Sequence, residues 1–249
     1  MPTPTSLIPA NDPQRLQALL PYLSLGTEPD AVFDEIVRLT AKLFQVPIAL
    51  VSLVEEGSVW FKANFGLPGA VRVNREQSIC SVAVLHEDTT VYEDLQREPC
   101  HLTDPKVAEA LELRFYAGHP LRTEEGHQIG ALCVIDRQPR TLSAVEQRRL
   151  QALAGLVMKI LDLRQLLQQR PEQAQAIWTL LYGELDDLLT RIGTLTKLAR
   201  GEAGANSPAG PASQHSIDEE AEVVIWLLEQ HTADALAALR PPAEPEVTH

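Results

Sequence analysis

With 249 residues and a mass of 27.4 kDa, the chain has room for one domain of about 150 residues plus an extension. Its 45% apolar and 22% charged residues describe an ordinary soluble composition, and no apolar run approaches the roughly 18 to 20 residues that span a bilayer. A net charge of -13, without any cluster of Lys and Arg, argues against nucleic acid as a direct partner.

MPTPTSLIPANDPQ lacks the basic flank and apolar core of a signal peptide, so a cytoplasmic location without membrane contact is expected. Residues 1–18 read as an N-terminal arm. NDPQRLQALLPYLSLGTEPD is interrupted at Pro21 and Pro29, which predicts a short helix and then a turn. AVFDEIVRLTAKLF gathers Val32, Phe33, Ile36, Val37 and Leu43 mostly on one side of a helix that ends before Pro47. PIALVSLV is almost continuously apolar and β-branched, the pattern of a central strand covered on both faces. Gly57 is expected to take the positive φ of a tight turn leading into SVWFKANFG.

Between Leu67 and Asp104 the periodicity weakens. REQSICSVAVLHE predicts one or two helical turns, TTVYEDL a strand and QREPCHLTD a loop. Long irregular segments in compact domains tend to be functional, so this one is expected to wall a binding site. TDPKVAEALEL then predicts a short helix, with Thr103 or Asp104 as its cap and Pro105 at the first position.

RFYAGHPL and HQIGALCVID are strand-like runs joined by RTEEG, with Gly126 supplying the turn of an antiparallel hairpin. Alternation places Phe115, Ala117, His119 and Leu121 on one face and Arg114, Tyr116, Gly118 and Pro120 on the other. Ser143 and Glu146 form a capping box that opens a long helix, in which Leu150, Leu153, Val157, Ile160 and Leu167 recur every three or four positions. After Pro171 a second helix, 172–200, repeats the spacing through Leu181, Leu185, Leu188, Ile192 and Leu195. Residues 201–216, rich in Gly, Ala, Ser and Pro, read as a flexible linker, 217–240 as a last helix, and 241–249 as a disordered tail. These apolar stripes need a partner: each other, the first domain, or a second copy of the chain.

Three blocks, FDEIVRLTAKLFQVPIALVSLVEEGSVWFKANFGL, SICSVAV and RFYAGHPLRTEEGHQIGALCVIDRQPRTLS, are followed by the helix EQRRLQALAGLV. Together they resemble the GAF domains of bacterial signalling proteins, over residues 19–169. The resemblance implies an α+β fold: a twisted antiparallel sheet with helices packed on one face and a pocket on the other, followed here by an all-helical extension. It also implies a non-enzymatic sensory module that binds a small ligand, dimerises through helices 143–168 and 172–200, or does both, transmits through its long helices, and has a protein signalling partner as a further candidate. Members of the family bind cyclic nucleotides, bilins, haem or amino-acid derivatives, and many only dimerise, so the resemblance names no cofactor.

The chemistry-bearing residues offer several competing readings. Three scattered cysteines without a CxxC pair fit a reducing compartment, and only Cys100 and His101 are close enough in sequence to suggest a metal; adjacent residues point apart, so no metal site is expected. Some GAF proteins reduce free methionine sulfoxide with pocket cysteines, which makes a thiol-dependent reductase using Cys80 and Cys100 the alternative to a sensor. No bilin-attachment pattern surrounds Cys100, and His231 lacks the context of a phosphoacceptor. The expected ligand contacts are Cys80, Tyr92, Asp94, Arg114, Phe115, Tyr116 and His119. Arg114 either clamps an anionic ligand or pairs with Asp94 or Asp104.

Overall fold

The computed structural model describes residues 6–25, 30–168, 170–203 and 211–239. Six strands, β1 (Ile48–Val54), β2 (Ser58–Phe65), β3 (Arg72–Asn74), β4 (Thr90–Tyr92), β5 (Phe115–Arg122) and β6 (Gln128–Asp136), form one antiparallel sheet in the order β3-β2-β1-β6-β5-β4. β1 lies near the middle with every residue buried, as its unbroken apolar run predicts. Alternation then sorts the side chains. Ile48 and Leu50 of β1, Tyr116 of β5, and Cys133 and Ile135 of β6 face a front core, while Ala49, Val51, Phe115, Ala117, Leu132 and Val134 face a back core.

The back is covered by α2 (Ala31–Phe44) and α5 (Ala144–Gln168), with α1 (Asp12–Leu23) at its side. Asp30 caps α2 by accepting from the Val32 amide at 3.1 Å. The capping box of α5 closes in both directions: the Glu146 amide donates to Ser143 Oγ at 3.2 Å and the Ser143 amide to Glu146 Oε2 at 2.8 Å. On the front are only short elements, α3 (Cys80–Ala83) and α4 (Pro105–Ala110), the latter capped by Asp104 with Pro105 at its start. This is the α+β layering that the resemblance implies.

The extension consists of α6 (Pro171–Ala203) and α7 (Pro211–Leu239). α6 packs on α2, and α7 packs on α5 and α6. Leu150, Leu153, Val157, Ile160, Leu167, Leu181, Leu185 and Leu188 are therefore buried within one chain, as are Ala221, Val224, Ile225 and Leu228 of α7. Exposed apolar residues of this region include Leu180, Tyr182, Val223 and Trp226. The side chains of Ile192 and Leu195 lie outside the described residues.

Several local expectations need correction. Pro21 does not end α1 but lies within its last turn, and the helix runs only to Leu23 beyond it. The arm ending at residue 18 cuts through that helix: Asp12 and Arg15 are already buried, and Leu19 joins the back core. Gly57 is not among the positive-φ residues; its turn is closed by the Glu55 amide donating to the Ser58 carbonyl at 2.8 Å. Gly126 does take the left-handed region, at φ 91°. Of the linker expected over 201–216, residues up to Ala203 belong to α6 and those from Pro211, a residue suited to a first helical turn, belong to α7. Residues 204–210 and the tail read over 241–249 lie outside the described residues.

A buried ionic cluster joins α1 to the β1–β2 hairpin. Arg15 donates to Asp12 at 2.7 Å and to the Val54 carbonyl at 2.5 Å, while Arg75 donates to both Asp12 oxygens at 3.2 Å and to the Leu7 carbonyl at 2.7 Å. Burial raises the affinity of Asp12 for a proton, but the hydrogen bonds from Arg75 and Arg15 outweigh it and hold the carboxyl below its usual range.

Candidate functional site

Between the sheet and the front segments lies a cavity of about 710 Å³. Leu50, Phe61 and Ile135 make its apolar floor, contributed by β1, β2 and β6. Its walls come from the stretch before and into α3 (Gln77, Ser78, Ile79, Cys80), from α4 (Pro105, Val107, Ala108), and from Leu95, Pro99, Cys100 and Thr103. Leu67, Ala70 and Val73 add a further side, and Asp104, Glu109, Glu112, Arg114 and Arg137 supply charged groups. Weak periodicity between Leu67 and Asp104 thus corresponds to chain that follows the shape of a cavity instead of a regular element. Apolar walls with a few polar groups are the usual composition of a small-molecule site.

The predicted contacts divide by face. Cys80 and Arg114 line the cavity. Arg114 is also paired: Nε and Nη2 donate to the two Asp94 oxygens at 2.7 Å each, a bidentate clamp. The Asp94 carboxyl is held down to about 2, first by that hydrogen bond from Arg114 and further by the Gln96 amide. Arg114 therefore has the internal partner expected of a structural arginine, at the cavity wall.

Tyr92 and Tyr116 lie just behind the lining, edge to face with centroids 6.5 Å apart. Tyr92 Oη donates to Cys100 Sγ at 3.4 Å, and burial pushes its phenol up. Tyr116 is completely buried, its ring laid along β5 over Gly118, where a Cβ would stand 2.2 Å from the phenol oxygen. The glycine is what lets the ring lie there. Phe115 and His119 are not part of the lining. Phe115 points into the back core with the Arg140 guanidinium 5.9 Å from its ring centre, and His119 Nδ1 meets Thr89 Oγ1 at 2.9 Å. Burial lowers the proton affinity of His119. The strand from Phe115 onward is thus not the cavity floor; Leu50, Phe61 and Ile135, missed by the sequence reading, are.

The cysteines also rearrange. Cys80 and Cys100 both line the cavity, as the thiol reading needs, yet the sulfur beside Cys80 belongs to Cys133, at 3.5 Å. Among the described residues no group of three or more His, Cys, Asp and Glu side chains is gathered to hold a metal ion.

Residues 28–161 match the sequence profile of the GAF domain. The chain belongs to the GAF domain family. This GAF domain comprises the sheet, α2 and most of α5, and places the cavity on the face that the resemblance implied. The chain is 38% identical over 149 residues to a cyclic di-GMP phosphodiesterase of Pseudomonas aeruginosa, a match covering 59% of this chain and 25% of that one. The chain thus spans about a quarter of that relative's length. Among solved structures it is similar to the GAF domain of PixJ from Thermosynechococcus elongatus in its blue-light absorbing form, at 15% identity and a TM-score of 0.48 over 62% of this chain and 96% of that one. It is also similar to the free methionine-R-sulfoxide reductase of Neisseria meningitidis, at 18% identity and a TM-score of 0.45 over 57% and 84% of the two chains. At these identities no ligand or reaction passes from those proteins to this one. Among the described residues no helix is long and apolar enough to cross a membrane.

Proposed function

We propose that this chain is a cytoplasmic sensory module that holds a small ligand in the front cavity and reports its presence through the back helices, without turnover. The cavity carries this reading: about 710 Å³ falls within the range of small-molecule sites, roughly 300 to 1,000 Å³, and its walls are apolar with a few polar groups such as Gln77, Ser78 and Thr103. A route for the signal follows from alternation. Leu50 and Ile135 touch the cavity while Ala49, Val51 and Val134 of the same strands touch the back core, in which α2 and α5 pack. α7 rests on α5. A ligand with different affinities for two helix arrangements would shift their populations. Similarity to part of a cyclic di-GMP phosphodiesterase supports a place in second-messenger signalling, with a protein as the receiver.

Native mass spectrometry of the full chain, incubated with cell metabolites and then denatured, tests this. The expected result is a mass excess that vanishes on denaturation and is absent from an Ala108→Trp variant, whose indole fills the cavity. An excess that survives in that variant, or no excess at all, sinks the reading. The same spectrum counts subunits; a dimer through the long helices would use their outward faces, where Leu180, Tyr182, Val223 and Trp226 are exposed. The competing reading, a thiol-dependent reductase, is favoured by the presence of both Cys80 and Cys100 in the lining. It requires turnover of free methionine sulfoxide that is lost on Cys80→Ser or Cys100→Ser.

A further inference from the structure

The chain's cysteines are not equivalent in their surroundings. Cys80, at the start of α3, and Cys133, in β6, are 53 positions apart in sequence and bring their sulfurs to 3.5 Å. Cys100 instead receives the Tyr92 hydroxyl. Cys133 is gripped from both sides, opposite Leu50 in β1 and opposite Gly118 in β5, so the middle of the sheet fixes its place. Cys80 stands on a four-residue helix and belongs to the cavity wall. A second feature points to the same spot: the fully buried Tyr116 hydroxyl lacks a hydrogen-bond partner, and the groups acting on it include the Cys80 and Cys133 thiols beside the Tyr92 phenol.

We propose that Cys80 and Cys133 form an oxidisable dithiol, a modification site at which a hydroperoxide reaching the cavity is reduced and a disulfide closes between α3 and β6. The Cys80 sulfur attacks the terminal oxygen of the O–O bond, which breaks; the departing alkoxide or hydroxide takes the Cys80 proton and leaves as alcohol or water. Cys80 is then a sulfenic acid. The Cys133 sulfur attacks the Cys80 sulfur, the S–O bond breaks, and hydroxide leaves as water with the Cys133 proton. Two electrons pass from the two thiols to the peroxide, giving one disulfide and one water together with one alcohol from an organic hydroperoxide or a second water from hydrogen peroxide.

The roles follow from the environment. Cys80 lines the cavity and Cys133 does not, so Cys80 meets the peroxide first and Cys133 resolves; the hydrogen bond from Cys133 that draws the Cys80 thiol down, and the burial that pushes the Cys133 thiol up, act in the same direction. The buried phenol of Tyr116 offers a donor to the negative sulfur. Closing the bond brings the sulfurs from 3.5 Å to about 2.0 Å. Since Cys133 is held in the sheet, the approach draws α3 toward it and reshapes the wall that Cys80 contributes. The proposal requires no bound metabolite, so its failure and that of the sensory reading are separate events.

Trypsin places the three cysteines on different peptides, 76–97, 98–106 and 123–137. The full chain is treated with hydrogen peroxide or cumene hydroperoxide, free thiols are alkylated in denaturant, and the digest is mapped without reduction. A cross-linked peptide 76–97 with 123–137 is expected, released by dithiothreitol, while peptide 98–106 stays alkylated. In a Cys133→Ala variant, dimedone is expected to label Cys80 at least tenfold more than in the unsubstituted chain. A cross-link through Cys100, oxidation of Cys80 straight to sulfinic acid in the unsubstituted chain, or full alkylation of Cys80 and Cys133 after peroxide overturns the proposal. The peptide map needs no variant, so a misfolded Cys133→Ala chain leaves the test intact.

Discussion

The two faces of the sheet are built to different standards. On the back, long helices close over Phe33, Ile36, Leu39, Leu153, Leu156 and Val157, none more than 1% exposed. On the front, two short helices and irregular chain enclose thiols, phenols and an open volume, with half-buried Leu67, Ala70 and Leu102 at the margin. Continuous close packing on one side is a source of stability and of rigid register. Sparse packing on the other leaves room for recognition and for local opening at lower cost. One sheet therefore serves both ends by presenting alternate residues of the same strands to each.

The largest test of that contrast compares two phenylalanines. Phe33→Ala on the back is expected to cost about 3 to 5 kcal/mol in urea unfolding, and Phe61→Ala on the cavity floor about 1 to 3, because its surroundings already border open space. Equal losses would break the comparison. Next, Asp12→Ala strips the carboxylate from Arg15 and Arg75 while both remain buried, and is expected to cost about 3 kcal/mol. A double-mutant cycle with Arg75→Ala should recover part of it. A loss below about 0.5 kcal/mol would show that the hairpin does not depend on this latch.

A smaller effect is expected at the cavity wall, from the Asp94–Arg114 clamp. The folded carboxyl titrates at about 2, below the roughly 3.9 of an unfolded Asp, so its contribution is complete above 3.9 and is lost as pH falls toward 2. NMR titration of Asp94 should show the low midpoint, and Arg114→Gln should raise it; an unshifted midpoint in that variant would remove Arg114 as the cause. Smallest of all, Lys159→Ala breaks a 3.6 Å pair with Glu229 between α5 and α7, at a site 36% exposed. The expected change is about 0.2 to 0.5 kcal/mol and should shrink further in high salt.

Elements with a local cause were legible in the sequence. The hairpin around Gly126, the cap at Asp104 with Pro105, and the reciprocal Ser143–Glu146 box all depend on neighbours within a few positions. The cavity was legible in outline, since irregular chain between Leu67 and Asp104 does form its walls. Its residues were less so. Phe115 and His119 share a face opposite to Arg114 and Tyr116, so strict alternation already forbade all four from lining one pocket. The floor residues Leu50, Phe61 and Ile135 look like any strand core until a cover is seen to be incomplete above them. The Cys80–Cys133 contact depends on how a four-residue helix settles on a strand far along the chain, which no spacing rule encodes.

The strand order sets a timetable for synthesis. β1 is flanked by β2, its immediate successor, and by β6, whose Ala131 carbonyl accepts from Ser52 Oγ across 79 positions of chain. As the protein leaves the ribosome, IALVSLV can pair on one edge at once, but its other edge stays open until Asp136 has emerged. That edge is apolar on both faces, the kind of surface on which nascent chains stick to one another. The early half of this protein therefore spends most of its synthesis as a half-made sheet, and chaperone demand should fall when β6, not the last helix, becomes available.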